Sequence, residues 1–173
     1  MASHGIRFAE GLQVVPIEAP ADQAADVETE WVALENVQWI TFLVICGNMG
    51  TSDTIDVYVH STTSATSGST NAGDYALPFN YRLSSAVGDD NWGDITAITT
   101  ATGLIQLTDA DTDKLLLIDI DPADVASHDS DAKYVYLTFD VTDSSSTDGA
   151  TIAGVVAFIE PRYPQVEQLS STA

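Results

Sequence analysis

Alternating apolar and polar positions run through most of the chain from residue 37 onward and predict β-strands. In "TIDVYVH" (54–60) and "KYVYLTFDV" (133–141) every second residue is apolar, which is typical of a strand with one buried face. By contrast, "VQWITFLVIC" (37–46) and "TIAGVVAFI" (151–159) are apolar at both sets of alternate positions. This pattern predicts central strands whose second face is covered by another layer or another chain.

Shorter strands and turns complete the pattern. "YALPFNYRL" (75–83) predicts one strand, and Pro78 favours an edge position or a bulge because proline has no N–H to donate. In the strand over 133–141, Tyr134 and Tyr136 are expected to face solvent. "TDSSSTDGA" (142–150) predicts a hairpin connection between the two strands that flank it. Further strands are predicted over residues 95–100, 104–108 and 115–120.

One short helix is predicted within "DPADVAS" (121–127). Asp121 suits the N-cap, Pro122 suits the first helical position, and Asp124 suits the positive end of the helix dipole. The many short strands with turn signals between them predict an all-β fold. We expect a β-sandwich or jelly-roll-like domain of about eight short strands.

Residues 1–32 predict an extended N-terminal arm, followed by the β-sandwich domain at 33–164 and a flexible C-terminal tail at 165–173. Alone, the arm buries too little apolar surface to offset its ordering entropy, so we expect it to pack on a neighbouring chain. The alternative is a first strand that lies on its own domain. A short amphipathic helix is also indicated over residues 22–30. The expected interface residues are Ile6, Phe8, Leu12, Val14, Val15 and Ile17.

The net charge of the chain limits the classes of molecule that it can bind. Its 173 residues include 26 Asp and Glu but only five Lys and Arg, for a net charge of −21. Such a chain is repelled by nucleic acid and by anionic lipid headgroups, so we expect neither as a direct partner. No signal peptide or membrane-spanning stretch is recognisable. The single cysteine, Cys46, excludes an internal disulfide and fits synthesis in a reducing cytoplasm.

The stretch "DADTD" places Asp109, Asp111 and Asp113 at alternate positions, as many calcium loops do. An EF-type loop needs glycine at its sixth position and glutamate at its twelfth, but these positions hold Lys114 and Ile120. Aspartate also favours turns because its side chain hydrogen-bonds the nearby backbone. We therefore interpret the stretch as a turn, with a looser calcium site as the alternative, and predict neither a metal nor a cofactor.

No catalytic constellation is recognisable elsewhere. His4, His60 and His128 lie far apart without the spacing of metal ligands. "SHDS" (127–130) contains serine, histidine and aspartate, but sequence neighbours cannot converge as a triad does. Cys46 fits a small buried hydrophobe rather than a nucleophile. The chain is therefore predicted not to be an enzyme.

The last third of the chain carries a resemblance to a known family. The segments are "LLLIDIDPADVASHDSDAKYVYLTFDVT" and "GATIAGVVAFIEPRYP", together with "ENVQWITFLVICG" (35–47) nearer the start. They resemble auxiliary head proteins of tailed bacteriophages, which decorate or cement the capsid. The matching positions are Lys133, Tyr134, Val135, Leu137, Gly154, Ala157, Pro161, Arg162 and Tyr163.

The resemblance implies a non-enzymatic virion protein on the outer capsid surface, synthesised in the host bacterial cytoplasm. Its implied partners are the major capsid protein and copies of itself, with a trimer favoured among the homo-oligomers. The alternative is a carbohydrate-binding, lectin-like β-sandwich of a viral appendage that uses Trp92, nearby tyrosines and calcium. A hydrolase built on acidic pairs ranks third, because nothing in the sequence selects a pair.

Overall fold

The computed structural model describes residues 12–19, 21–22, 26–50, 53–65, 75–86, 91–99, 104–142 and 151–163. Two antiparallel sheets pack against each other, which confirms the predicted all-β sandwich. In chain order the described strands are β1 (Gln13–Glu18), β2 (Ala21–Asp22), β3 (Val27–Glu28), β4 (Val32–Ala33), β5 (Val37–Cys46), β6 (Thr54–Thr62), β7 (Tyr75–Ala76), β8 (Phe79–Leu83), β9 (Thr96–Ile98), β10 (Ile105–Leu107), β11 (Leu115–Ile120), β12 (Tyr134–Thr142) and β13 (Thr151–Pro161). A 3₁₀ turn spans Asp109–Asp111, and helix α1 spans Pro122–His128.

The seven-stranded sheet has the order β1-β13-β5-β11-β8-β9, and β2 also pairs with β13. The six-stranded sheet has the order β10-β6-β12-β3, with β4 on β12 and β7 on β6. The two strands that are apolar on both faces, β5 and β13, lie next to each other inside the seven-stranded sheet. Their predicted central position is therefore confirmed.

The core lies between the two sheets. From β5, Ile40, Phe42 and Val44 point inward and are fully buried, and from the six-stranded sheet Val59 and Leu137 meet this layer. Each such side chain stabilises the fold by about 1.5–3 kcal/mol through the apolar area it removes from water. The alternate apolar positions in the sequence are therefore the residues that face this core, and the residues between them lie on the outer faces.

The chain passes from one sheet to the other at Leu77 and Pro78. β7 pairs with β6 in the six-stranded sheet, whereas β8 pairs with β11 in the seven-stranded sheet. The single strand predicted over residues 75–83 is therefore wrong. Pro78 interrupts it because proline has no N–H for a ladder.

The hairpin predicted across residues 142–150 is also wrong. β12 belongs to the six-stranded sheet and β13 to the seven-stranded sheet, so the two strands do not pair. Glycine and serine signals show that a connection exists, but they do not show which strand the next one joins. Residues 143–150 themselves lie outside the described residues.

The arm prediction is corrected for the described part of residues 1–32. β1 pairs antiparallel with β13, from Gln13 opposite Ile159 to Glu18 opposite Val155, so the alternative of a first strand on its own domain applies. β3 and β4 pair with β12, which replaces the helix suggested over residues 22–30. These strands bury apolar surface on their own sheets, which the arm was expected to bury on a neighbour. Residues 1–11 and 164–173 lie outside the described residues.

Helix α1 begins as predicted. The Asp121 carboxylate (Oδ1) accepts a hydrogen bond from the backbone N–H of Ala123 at 2.8 Å, and Pro122 is the first helical residue. This cap satisfies one of the backbone donors that every helix leaves free at its start. The helix lies immediately after β11.

Tyr136 is only 1% exposed, which corrects its predicted position at the solvent. Its ring stacks on His60, with centroids 5.4 Å apart, and Trp31 meets it edge-on at 6.3 Å. The segment that holds Trp31 joins the edge of β12 from more than 100 residues earlier in the chain. Alternation within β12 alone could not reveal this distant cover.

A substitution of Gly154 tests the backbone geometry of the irregular pairing between β13 and β5. Gly154 sits at an irregularity of the β13–β5 pairing with φ of 146°, a conformation that almost only glycine adopts. Gly154→Ala is expected to lower the free energy of unfolding by about 1–3 kcal/mol in urea denaturation. Ala153→Ser, at the exposed neighbouring position, should unfold like the unchanged protein. Equal stability of the Gly154→Ala variant would contradict this account of the bulge.

The reactivity of the Cys46 thiol tests how tightly the core is packed. Cys46 is 2% exposed, and burial, together with the charge of Asp111, raises the pKa of its thiol to about 12. Because the thiolate is the reactive form, we expect no reaction of the folded protein with a disulfide reagent at pH 8. One equivalent should react after unfolding in urea, since the chain has a single cysteine. Rapid reaction of the folded protein would show that the end of β5 is open.

Candidate interaction surface: the outer face of the seven-stranded sheet

The outer face of the seven-stranded sheet carries a group of apolar side chains that point away from the core. Cross-strand pairs place them side by side: Val14 opposite Phe158, Val156 opposite Leu43, and Leu43 opposite Leu117. We call this group the outer apolar patch: Val14, Leu43, Ile45, Leu117, Val156 and Phe158.

The patch is separate from the core. Its members belong neither to the buried cluster nor to the partly buried side chains that pack against that cluster. Val14 is 47% exposed, and the others are half-buried. Apolar side chains collected on one outer face of a strongly charged chain are typical of a surface that contacts another molecule.

Part of the outer face of the six-stranded sheet has the opposite character. There the outward positions of β6 and β12 hold Asp56, Tyr58, Thr138 and Asp140. Gln106 of β10 donates to the Asp56 carboxylate at 2.9 Å. These positions are polar, whereas farther along the same face the ring of Tyr136 stacks on His60 and is covered by Trp31. The contrast identifies the outer apolar patch as the candidate contact surface.

The predicted interface residues on β1 do not all lie on the same face of the strand. Val14 lies on the outer apolar patch, but Val15 packs against the core and Ile17 is 1% exposed within it. Ile17 is therefore corrected from a contact residue to a core residue. Leu12 is half-buried just before β1. Ile6 and Phe8 lie outside the described residues.

The interface residues predicted from the sequence include none on β5, β11 or β13, although the second face of β5 and β13 was predicted to be covered by another layer or another chain. The patch residues on these strands are Leu43, Ile45, Leu117, Val156 and Phe158. A sequence signal for these residues was present on β5 and β13, because most residues on both faces of each strand are apolar. On one face the second sheet provides the cover. The other face is the patch.

The calcium candidates form a capped turn. Asp111 accepts hydrogen bonds from the backbone N–H of Thr108 at 3.0 Å and from the Lys114 ammonium at 3.1 Å. Asp109 begins the 3₁₀ turn, and Asp113 takes the left-handed conformation that aspartate tolerates. Within the described residues no group of three or more His, Cys, Asp or Glu could hold a metal ion.

The remaining candidates are dispersed. In "SHDS" the buried Asp129 accepts a hydrogen bond from Ser61 at 2.8 Å, while Ser127 contacts the exposed His128 at 3.0 Å, so the three side chains do not form a relay. Trp92 is 36% exposed beside the edge of β8, where it bridges to Ser84. His4 lies outside the described residues.

Comparison with known proteins assigns no relative. No protein-family model matches this chain, and a search of curated proteins finds no match.

No helix in the described part of the chain is long and apolar enough to cross a membrane.

The carboxyl group of Asp140, on the outer face of the six-stranded sheet, predicts that stability depends on pH. Asp140 lies opposite Asp56, and its hydrogen bond with Asp26, followed by partial burial, raises the pKa of Asp140 above its ordinary value. The raised pKa means that the protonated Asp140 stabilises the folded state. This contribution is fully present below about pH 4 and is lost as pH rises through the raised pKa.

Above its raised pKa, the charge of Asp140 is disfavoured by Asp26 and Asp56, so at pH 7 Asp140→Asn is expected to raise the melting temperature by about 1–3 °C. The gain should shrink to nothing as the pH falls towards about 4. Thermal melts from pH 4 to 8 measure it, with the exposed Asp94→Asn as the control. A gain of the same size at every pH would show that the ionisation of Asp140 is not its cause.

Proposed function

We propose that this protein is a non-enzymatic structural protein of a tailed-phage virion that decorates and stabilises the outer capsid shell. It binds major capsid subunits through the outer apolar patch. The observation that carries this proposal is the patch itself, which lies on the central strands of the seven-stranded sheet and faces away from the core. The resemblance of "TIAGVVAFIEPRY" and "KYVYL" to auxiliary head proteins supplies the biological setting.

The energetics of such a role are those of interface burial. A standard protein interface removes about 1,600 Å² of surface from water. On a capsid, one modest contact is repeated over a lattice, and simultaneous contacts to linked subunits multiply the apparent affinity. A flat sheet face suits this purpose because it presents many side chains in fixed register.

The charge supports a place on the outside of the shell. A chain of net charge −21 is repelled by packed DNA, and outward-facing carboxylates keep the decorated particle soluble. The same charge favours capsid subunits with basic groups around the contact. Synthesis in the bacterial cytoplasm is in keeping with the free thiol of Cys46.

The edge strand β1 disfavours strand pairing between copies. Pro16 lies in β1 at the edge of the seven-stranded sheet, and proline cannot donate to an added strand. Continuous edge-to-edge pairing between copies is therefore discouraged at this side. The homo-oligomer, a trimer in our proposal, is expected to form through side-chain contacts.

A carbohydrate-binding module is the second candidate, supported by the partial exposure of Trp92. Aromatic rings at loop positions stack on sugar rings. A glycan array with calcium present decides between the two candidates. A specific hit that is lost in Trp92→Ala would favour the carbohydrate-binding function over the capsid function.

The patch is tested by a double substitution at its centre. Leu43→Gln with Val156→Gln replaces two cross-strand neighbours. We expect at least a tenfold loss of binding, because two polar groups enter the apolar contact without partners. The measurement is co-sedimentation with DNA-free heads of the major capsid protein from the same genome, with circular dichroism to show that the variant is folded.

The matched control is Tyr58→Gln with Thr138→Gln, which are cross-strand neighbours on the outer face of the six-stranded sheet. This variant should bind heads like the unchanged protein. Equal loss in both variants would refute the role of the patch. Failure of the unchanged protein to bind heads, or a gene neighbourhood of polysaccharide degradation without a major capsid gene, would overturn the proposed function.

A further inference from the structure

A small hollow opens at one end of the outer face, where β5 begins and where β11 leads into helix α1. Trp39, which is 38% exposed, lines one side, and Asp119, Asp121 and Asp124 also line it. Buried apolar side chains, including Ile120, contribute to its lining. The cavity volume is about 30 Å³. This is room for more than one water-sized group but not for an enclosed sugar ring.

The aromatic wall and one carboxylate are fixed in place. Asp119 Oδ1 accepts a hydrogen bond from the Thr41 hydroxyl at 2.7 Å and lies 3.5 Å from the indole N–H of Trp39. Both donors act on the same oxygen, so Asp119 Oδ2 has no hydrogen bond within the described residues. A preorganised carboxylate with a vacant oxygen binds a donor without a further ordering cost.

The hollow has negative charge and no cation of its own. The one ion pair in the described part of the chain joins Lys114 to Asp111. Arg82 lies two residues beyond Asn80 on β8, and Arg162 follows β13 next to the start of β5, but neither forms an ion pair with Asp119. The three carboxylates therefore lack a positive partner within the described chain.

We infer that this hollow receives an arginine or lysine side chain of the protein that covers the outer apolar patch. The inference rests on the proposed function, because the partner is the one that binds the patch. A guanidinium or ammonium group is attracted to the face of an indole ring, and carboxylates accept its hydrogen bonds. The vacant oxygen of Asp119 and the outward Asp124 provide acceptors on two sides.

The hollow lies on the same outer face as the patch. Trp39 and Leu43 lie on the same strand and face four residues apart, which is about 13 Å along an extended chain. A partner segment of about that length would place a basic residue in the hollow and an apolar residue on the patch. The occupant is therefore a protein segment that combines a basic residue with apolar residues at this spacing.

The hollow is tested first with small probes. The ¹⁵N-labelled full chain is titrated with Nα-acetyl-arginine amide at low salt while the three indole N–H signals are followed. The neutral probe is the matching citrulline amide, which has nearly the same shape but no charge. We expect a saturable shift of the Trp39 signal with arginine, a much smaller shift with citrulline, and weakening in 0.5 M salt.

Substitutions locate the site. Asp119→Asn and Asp124→Asn should each weaken arginine binding about three- to tenfold, and Trp39→Leu should remove the signal and weaken binding by a similar factor. The matched control is Asp109→Asn, an exposed aspartate beyond the opposite end of β11. Equal shifts with arginine and citrulline, a Trp39 shift with methyl glucoside, or an equal effect of Asp109→Asn would overturn the inference.

The head-binding measurement separates this inference from the proposed function. If Trp39→Leu and Asp119→Asn bind heads like the unchanged protein while Leu43→Gln with Val156→Gln does not, the patch stands and the hollow is refuted. If the unchanged protein does not bind heads but arginine shifts Trp39, the capsid function fails and the cation site stands. Loss of head binding in all these variants, with the Tyr58→Gln and Thr138→Gln control unaffected, supports both.

Discussion

The apolar character of both faces of β5 is the constraint on which the structure depends. On one face Ile40, Phe42 and Val44 are fully buried against the second sheet, and this contact produces the sandwich. On the other face Leu43 and Ile45 are half-buried without belonging to that core. A strand that served only to join two layers would be expected to carry polar residues on its outer face. The outer face of β5 is therefore best explained by a second contact.

Sequence patterns predicted the strands well because alternation is a local property. β5 has the predicted bounds, and α1 begins at the predicted cap. The partners of the strands were not local. Nothing in residues 142–150 shows that β12 and β13 enter different sheets, and the burial of Tyr136 depends on Trp31 from a distant segment. The fold class followed from the sequence, whereas topology required the structure.

In the candidate surface, the sequence predicted a contact residue only on the first strand, and for β5 and β13 it predicted only that another layer or another chain covers the second face. Val14 and Ile17 have similar apolar character, and only the pairing of β1 with β13 shows that the first faces outward and the second inward. Because side chains alternate, the direction of a strand's face is known only once one neighbour is fixed. The hollow lies between Trp39 and Asp119, which are 80 residues apart in the sequence, so no local sequence motif could predict it.

The charge and the patch together restrict what can cover the outer face. At physiological salt, repulsion between exposed carboxylates is screened beyond roughly 8 Å, so it acts mainly where surfaces already touch. A second copy placed face to face would bring its own Asp119 and Asp124 to the same rim, and these groups would repel without a cation between them. A partner with a basic rim would gain attraction at that point and bury the same apolar side chains. Contact between copies is then expected to use other surfaces, with the patch left for a partner of this kind.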